Sequence, residues 1–180
     1  MAKAGQVIRN PVTGETTTFL VSSADSDGKL LEIEMAADPQ APGATEHIHP
    51  NITEHYQMLE GRLSLRLEGH ETTVSAGQQL EIPAGTAHSF WNPDDAPARV
   101  RVRFEPAGRF EEFMESIYAL ASDGKTNAKS RPKLLQGALI GRRHIRDIAL
   151  ARPPVFVQRL LYALLAPIAR ARGYRDRYPG

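Results

Sequence analysis

Over the first hundred residues, apolar and polar side chains alternate with a period of two. Leu31, Ile33 and Met35 alternate with Glu32 and Glu34. Leu63, Leu65 and Leu67 alternate with Arg62, Ser64 and Arg66, and Val100, Val102 and Phe104 with Arg99, Arg101 and Arg103. Side chains of a strand point to opposite faces in turn, so each run is a strand with one face on a core and one in water. Residues 16–21, 54–59 and 72–74 read as further strands, and residues 77–82 lead on to the turn at Pro83. Turn-formers separate them: Gly28 after Asp25 and Asp27, Gly61, Gly69 and Gly77. Residues 36–45, with Pro39, Pro42 and Gly43, read as a loop at the mouth of the strand structure.

Beyond Pro106 and Gly108 the period changes. Phe110, Phe113, Met114, Ile117, Tyr118 and Leu120 fall at helical spacing. A second helix is predicted over residues 134–149, with Gly137 and Gly141 weakening its first half. A third begins at Pro153-Pro154, since proline is tolerated in a first helical turn. Val157, Leu160, Leu161, Leu164, Leu165 and Ile168 make one apolar stripe, and Pro167 should kink the helix near its end. Burial in a helical subdomain or in a dimer is the expected fate of that stripe, ahead of a lid over a substrate opening or contact with a membrane surface. The pattern therefore predicts an all-β core over residues 1–107 and an α-helical C-terminal extension over residues 108–180.

The net charge of +1 conceals two opposite halves: residues 1–122 hold 9 Lys/Arg against 18 Asp/Glu, and residues 123–180 hold 13 against 3. A basic tail suits an acidic partner, and the nearest one is the acidic body of the same chain or of a second subunit. No nucleic acid is expected. Cysteine is absent, which removes disulfides and thiolate metal sites. The first residues lack the apolar core of a signal peptide, and a cytoplasmic protein is expected.

The chemistry concentrates between Gly43 and Asn92. His47 and His49 are two residues apart and share a strand face. Glu54 is at an odd offset from them, but Pro50-Asn51 breaks the strand and resets the phase. His88 follows the turn at Pro83 and Gly85 and shares a face with Phe90 and Asn92. Three imidazoles and one carboxylate, without sulfur, suit one divalent transition metal: Fe, Mn, Ni, Co, Cu or Zn. Four ligands leave one or two positions open for a substrate oxygen, dioxygen or water. Glu46, Gln57 and main-chain carbonyls are candidates to accept the second N–H of each histidine. His55 should point outward, and His70 and His144 have no partner at ligand spacing.

These residues resemble the two motifs of the cupin superfamily, G-x5-H-x-H-x3–4-E-x6-G and G-x5-P-x-G-x2-H-x3-N. The second is met at Gly77, Pro83, Gly85, His88 and Asn92. The first is met at His47, His49, Glu54 and Gly61, while its leading glycine falls on Ala41 and the nearest glycine is Gly43. The resemblance covers residues 30–104 and implies a double-stranded β-helix, or jelly-roll, barrel. It implies metal ligation by His47, His49, Glu54 and His88 in a cavity that binds a small molecule. Strand parity places Tyr56, Met58, Leu63, Leu65, Phe90 and Val102 around that cavity, with Tyr56 as a hydrogen-bond donor or acid–base group. The fold hosts oxygenases, isomerases, decarboxylases and binding proteins, so function must be argued from the site. A dioxygenase-like oxidoreductase acting on a small, partly apolar organic substrate is the leading expectation. An isomerase or decarboxylase that uses no dioxygen, or a non-enzymatic ligand-binding module, is the alternative. A homodimer is the default assembly.

Overall fold

The computed structural model describes residues 2–178. Ten strands come first: β1 (Val7–Asn10), β2 (Glu15–Val21), β3 (Leu31–Ala37), β4 (His47–Ile48), β5 (Thr53–Glu60), β6 (Arg62–Leu67), β7 (His70–Ser75), β8 (Gln79–Ile82), β9 (His88–Trp91) and β10 (Ala98–Glu105). Then follow α1 (Phe110–Ser122), α2 (Leu134–His144), β11 (Ala149–Leu150) and α3 (Val155–Ala171). The strands form two antiparallel sheets, ordered β1-β2-β3-β10-β5-β8 and β11-β4-β9-β6-β7. The expected barrel is not a closed sheet: the described strands share one core across two separate sheets. Short irregular links such as residues 50–52, 76–78 and 83–87 carry the chain between sheets instead of continuing the hydrogen-bond ladder.

The alternation read from the sequence is the packing. Leu31, Ile33, Met35, Leu63, Leu65, Val100, Val102 and Phe104 are buried in the core. The outward arginines of β10 meet carboxylates, with Arg99 bridging Glu34 and Glu60 at 3.0 and 2.5 Å and Arg101 lying 3.6 Å from Glu32. Exposed pairs of this kind contribute little, about 0–1 kcal/mol each.

Helix α1 closes the same core with Phe110, Met114 and Tyr118. Its buried Glu111 accepts the main-chain N–H groups of Ala2 at 2.7 Å and Ser23 at 2.8 Å, which ties the N-terminus to the helix. Helix α2 packs on α3 through Leu139, Ala166 and Ala169. Gly141 permits that approach, since a β-carbon there would stand 2.6 Å from the Tyr162 ring. The basic segment pairs with acidic groups of α1, within the extension, instead of with the strands: Arg143 lies 2.8 Å from Glu112 and Arg177 3.3 Å from Glu115.

Two expectations for the extension are corrected. The second helix stops at His144, and Ala149 and Leu150 form a strand that pairs with Ile48 and His47. The extension thus adds an edge strand beside the His-x-His segment. The apolar stripe of α3 is not buried. Leu160, Leu164 and Phe156 are 63, 64 and 74% exposed, and the small or polar residues Gln158, Ala166 and Ala169 face inward. Small residues are what the close α2–α3 contact admits. Among the described residues no helix is long and apolar enough to cross a membrane.

Candidate metal centre

His47 and His88 come from neighbouring strands of the five-stranded sheet and stand directly opposite each other, β4 against β9. Their ring centroids are 4.2 Å apart. His49 lies just past β4. Residues 50–52 then cross to the other sheet, where β5 presents Glu54 inward. The phase break at Pro50-Asn51 is therefore the crossing between sheets, and the four side chains meet in the gap between them. All four are buried, and their potential ligand atoms lie within 4.8 Å of one another.

The hydrogen bonds fix which atoms face the centre. The Nδ1 atom of His47 lies 2.8 Å from Thr45 O, that of His49 2.6 Å from Asp147 O, and that of His88 2.9 Å from Thr86 O. A carbonyl only accepts, so each Nδ1 carries the proton and each Nε2 turns a lone pair inward. The Nε2 atoms of His49 and His88 and Oε1 of Glu54 are buried without a hydrogen-bond partner. His88 Nε2 nevertheless lies 2.8 Å from Glu54 Oε1. Two electron-rich atoms held that close in a buried site call for a cation, and the donor set fits a divalent transition metal.

The titration behaviour follows. Burial pushes His47 well below its ordinary pKa, with the neighbouring imidazoles adding to the effect, and burial lowers His49. Burial would raise Glu54, but the surrounding imidazoles outweigh it and hold the carboxyl at about 2. At His88 burial is likewise outweighed, here by Glu54, and the pKa is raised. The carboxylate is charged and His47 and His49 are neutral, as metal ligation requires, whereas Glu54 draws His88 towards its protonated form and an ion would have to displace that proton.

His47, His49 and Glu54 line one part of a cavity of about 350 Å³, with His88 behind them. Tyr56, Phe90 and Val102 line it as expected from strand parity. Met58, Leu63 and Leu65 do not: they share the inward parity but are fully buried in the core. Alternation assigns a face, and it carries no information on depth along the strand. Burial and the nearby Glu54 push the Tyr56 phenol well above its ordinary pKa, so it remains a neutral hydroxyl.

Much of the wall comes from residues that the sequence reading did not single out. Phe110 stands edge-on to His49 at 4.6 Å and packs on Phe104 at 4.8 Å. Phe113, Met114, Ile117, Tyr118, Ile140 and Tyr162 continue the apolar surface, and Asn10, Thr13 and Glu15 add polar groups. Asp147, whose carbonyl orients His49, belongs to the extension. A main-chain acceptor leaves no mark in the sequence, so nothing there pointed to it. The displaced leading glycine is accounted for as well. Gly43 has φ +63°, and a β-carbon on it would fall 1.9 Å from Phe90 O, so the loop requires glycine at this place.

Comparison with known proteins agrees with this architecture. Residues 33–104 match the family model described as "Cupin domain". The chain is 30% identical over 77 residues to quercetin 2,3-dioxygenase of Bacillus subtilis, covering 43% of this chain and 23% of the relative. It is 32% identical over 97 residues to the tetracenomycin polyketide synthase protein TcmJ of Streptomyces glaucescens, covering 52% of this chain and 62% of the relative. The alignments thus span from about a quarter to three fifths of these curated relatives. A predicted oxalate decarboxylase from Thermotoga maritima superposes with a TM-score of 0.51 at 21% identity, over 56% of this chain and 90% of that one, a likeness of fold. Over residues 33–104 the chain is thus similar to a cupin domain.

Proposed function

We propose that the protein is a metal-dependent oxidoreductase of dioxygenase type that acts on a small, largely apolar organic molecule bearing an enolic or phenolic oxygen. One observation carries this reading: three imidazoles and a charged carboxylate converge beside a cavity walled by aromatic and aliphatic side chains. His47, His49, Glu54 and His88 would hold the ion. Once bound, a redox-capable ion there would polarise a substrate oxygen and supply dioxygen chemistry. Phe104 and Phe110 keep water away from His49, which strengthens every electrostatic interaction at the site. Tyr56, two residues beyond Glu54 on the inner face, keeps a neutral O–H directed at the Glu54 carboxylate, where it would orient that ligand. The cavity has no cluster of cationic groups deep inside, which disfavours sugar phosphates. Similarity to a quercetin dioxygenase and to a polyketide synthase protein supports a substrate with oxygen-bearing rings.

The test begins with elemental analysis of protein purified without chelator, beside His49→Ala. Near-stoichiometric transition metal is expected in the wild type and not in the variant. The metallated protein is then given flavonols and polyhydroxylated naphthols, with oxygen uptake recorded. Turnover that stops under anaerobic conditions supports the oxidative reading. Turnover that continues without dioxygen would replace it with a non-oxidative isomerase or decarboxylase.

A further inference from the structure

The cavity holds a second polar group besides the metal-binding cluster. Glu15 opens β2, three strands from β5 in the sheet order β2-β3-β10-β5, and across the cavity its charge reaches the Tyr56 phenol. The residue is 4% exposed and lines the cavity. The Tyr118 hydroxyl donates to its Oε2 at 2.5 Å and stands 3.5 Å from the Thr17 hydroxyl. That contact fixes the carboxyl plane and leaves Oε1 with no partner in the protein. Beside it, the buried Thr13 hydroxyl has no hydrogen bond of ordinary length, although it lies near enough to the carboxyl to ease its ionisation. Buried polar atoms without partners are rare, because each has given up its hydrogen bonds to water. Two of them side by side in a cavity wall are a feature that a ligand explains.

We propose that Glu15, Thr13 and Tyr118 form a distal anchor for a substrate hydroxyl, remote from the oxygen presented to the metal centre. Oε1 accepts the ligand O–H, and the Thr13 hydroxyl donates to the same oxygen. Burial pushes the Glu15 pKa up to about 7, so near neutrality about half of the carboxyl is protonated, and either form can accept a ligand hydroxyl at an unprotonated oxygen. Lys129 and Arg131 also reach the cavity, but both are exposed and leave the inner end without a positive charge. Between the anchor and the metal-binding groups the wall is mostly apolar, with Ile33, Met35, Val102 and Phe104, and carries the Tyr56 hydroxyl. The substrate class narrows to elongated, ring-bearing molecules with oxygen at both ends. This inference rests on the function proposed above.

Binding, read by fluorescence titration, tests it independently of turnover. The probes are a matched pair: plain flavonol, and the flavonol with one added hydroxyl at the far (para) position of its phenyl ring. Wild type should bind the hydroxylated probe about tenfold tighter, the equivalent of one good buried hydrogen bond. Glu15→Leu should erase that preference while still binding the plain flavonol. Thr13→Val, which preserves shape, should reduce the preference severalfold and serves as the second variant if Glu15→Leu does not fold. Equal affinities in wild type, or an undiminished preference in the variants, would overturn the anchor. The same titration on His49→Ala separates the two proposals. A preference that persists there, beside a metallated wild type without turnover, leaves the anchor standing and removes the enzyme reading. Turnover without the preference does the reverse.

Discussion

Glu15 shows how much the cost of one side chain depends on what packs over it. An unfolded glutamate titrates near 4.5, whereas the buried Glu15 carboxyl is held at about 7 because burial penalises the charge more than Tyr118 relieves it. Below about pH 4.5 the folded and unfolded chains are both protonated here, and the group is neutral towards stability. As pH rises towards 7 the unfolded chain releases its proton and the folded chain does not, so folding loses stability, by about 3 kcal/mol once the plateau above pH 7 is reached. Glu15→Gln removes this titration. The stability of the variant relative to wild type should therefore climb between about pH 4.5 and 7 and level off above, as read from urea unfolding at a series of pH values. A difference that is flat across that range would mean that Glu15 ionises normally. Little along the chain marks this group in advance. Glu15 borders a β-rich run, and its burial is decided by Tyr118, more than a hundred residues further along the chain. His47, His49, Glu54 and His88, by contrast, were legible because their chemistry and their spacing are both local.

At the scale of elements, legibility follows the origin of each one. The long strands β3, β6 and β10 follow directly from alternation, since half-burial writes a period of two into the sequence. Strand β11 is two residues long, and its partner is the His-x-His segment, so only tertiary pairing creates it. For α3 the periodicity identified the helix but inverted its orientation. An apolar stripe specifies a face without specifying what meets it, and here the contact with α2 selected Ala166, Ala169 and Gln158 instead. Gln158 also bonds the main chain of Leu150 in both directions, at 3.2 and 2.8 Å, which locks α3 to the strand beside His47. The exposed leucines should therefore carry almost none of the monomer's stability. Changing Leu160 and Leu164 together to Ser should move the unfolding free energy by no more than about 0.5 kcal/mol, whereas Leu139→Ala, at 1% exposure, should cost about 2–5 kcal/mol. A large, protein-concentration-dependent loss in the double variant would mean that a second subunit covers this face, the homodimer anticipated from the sequence.

Across the whole molecule, the metal-binding groups draw on nearly every part of the chain. Two sheets supply the four side chains, α1 lays Phe110 against His49, and the extension contributes the Asp147 carbonyl that sets the His49 tautomer. An ion bound among them would bridge elements that are otherwise joined only by packing, and it would bind the folded chain far better than the unfolded one. Binding linkage then sets the size of the effect. At free metal about a hundredfold above the dissociation constant, stabilisation is about 2.7 kcal/mol. For a chain of this length that corresponds to a rise in Tm of about 5–10 °C. Chelator-treated protein titrated with Mn, Fe, Ni, Co, Cu or Zn should show this rise with at least one ion, and His49→Ala should lose it. Asp147 contributes only a main-chain carbonyl, so Asp147→Ala should keep most of the rise, whereas ending the chain before α2 should diminish it by freeing the His49 ring. If no ion raises the Tm of the wild type, the convergence of His47, His49, Glu54 and His88 must be read as a polar patch that shares protons, with the short His88–Glu54 contact as its centre.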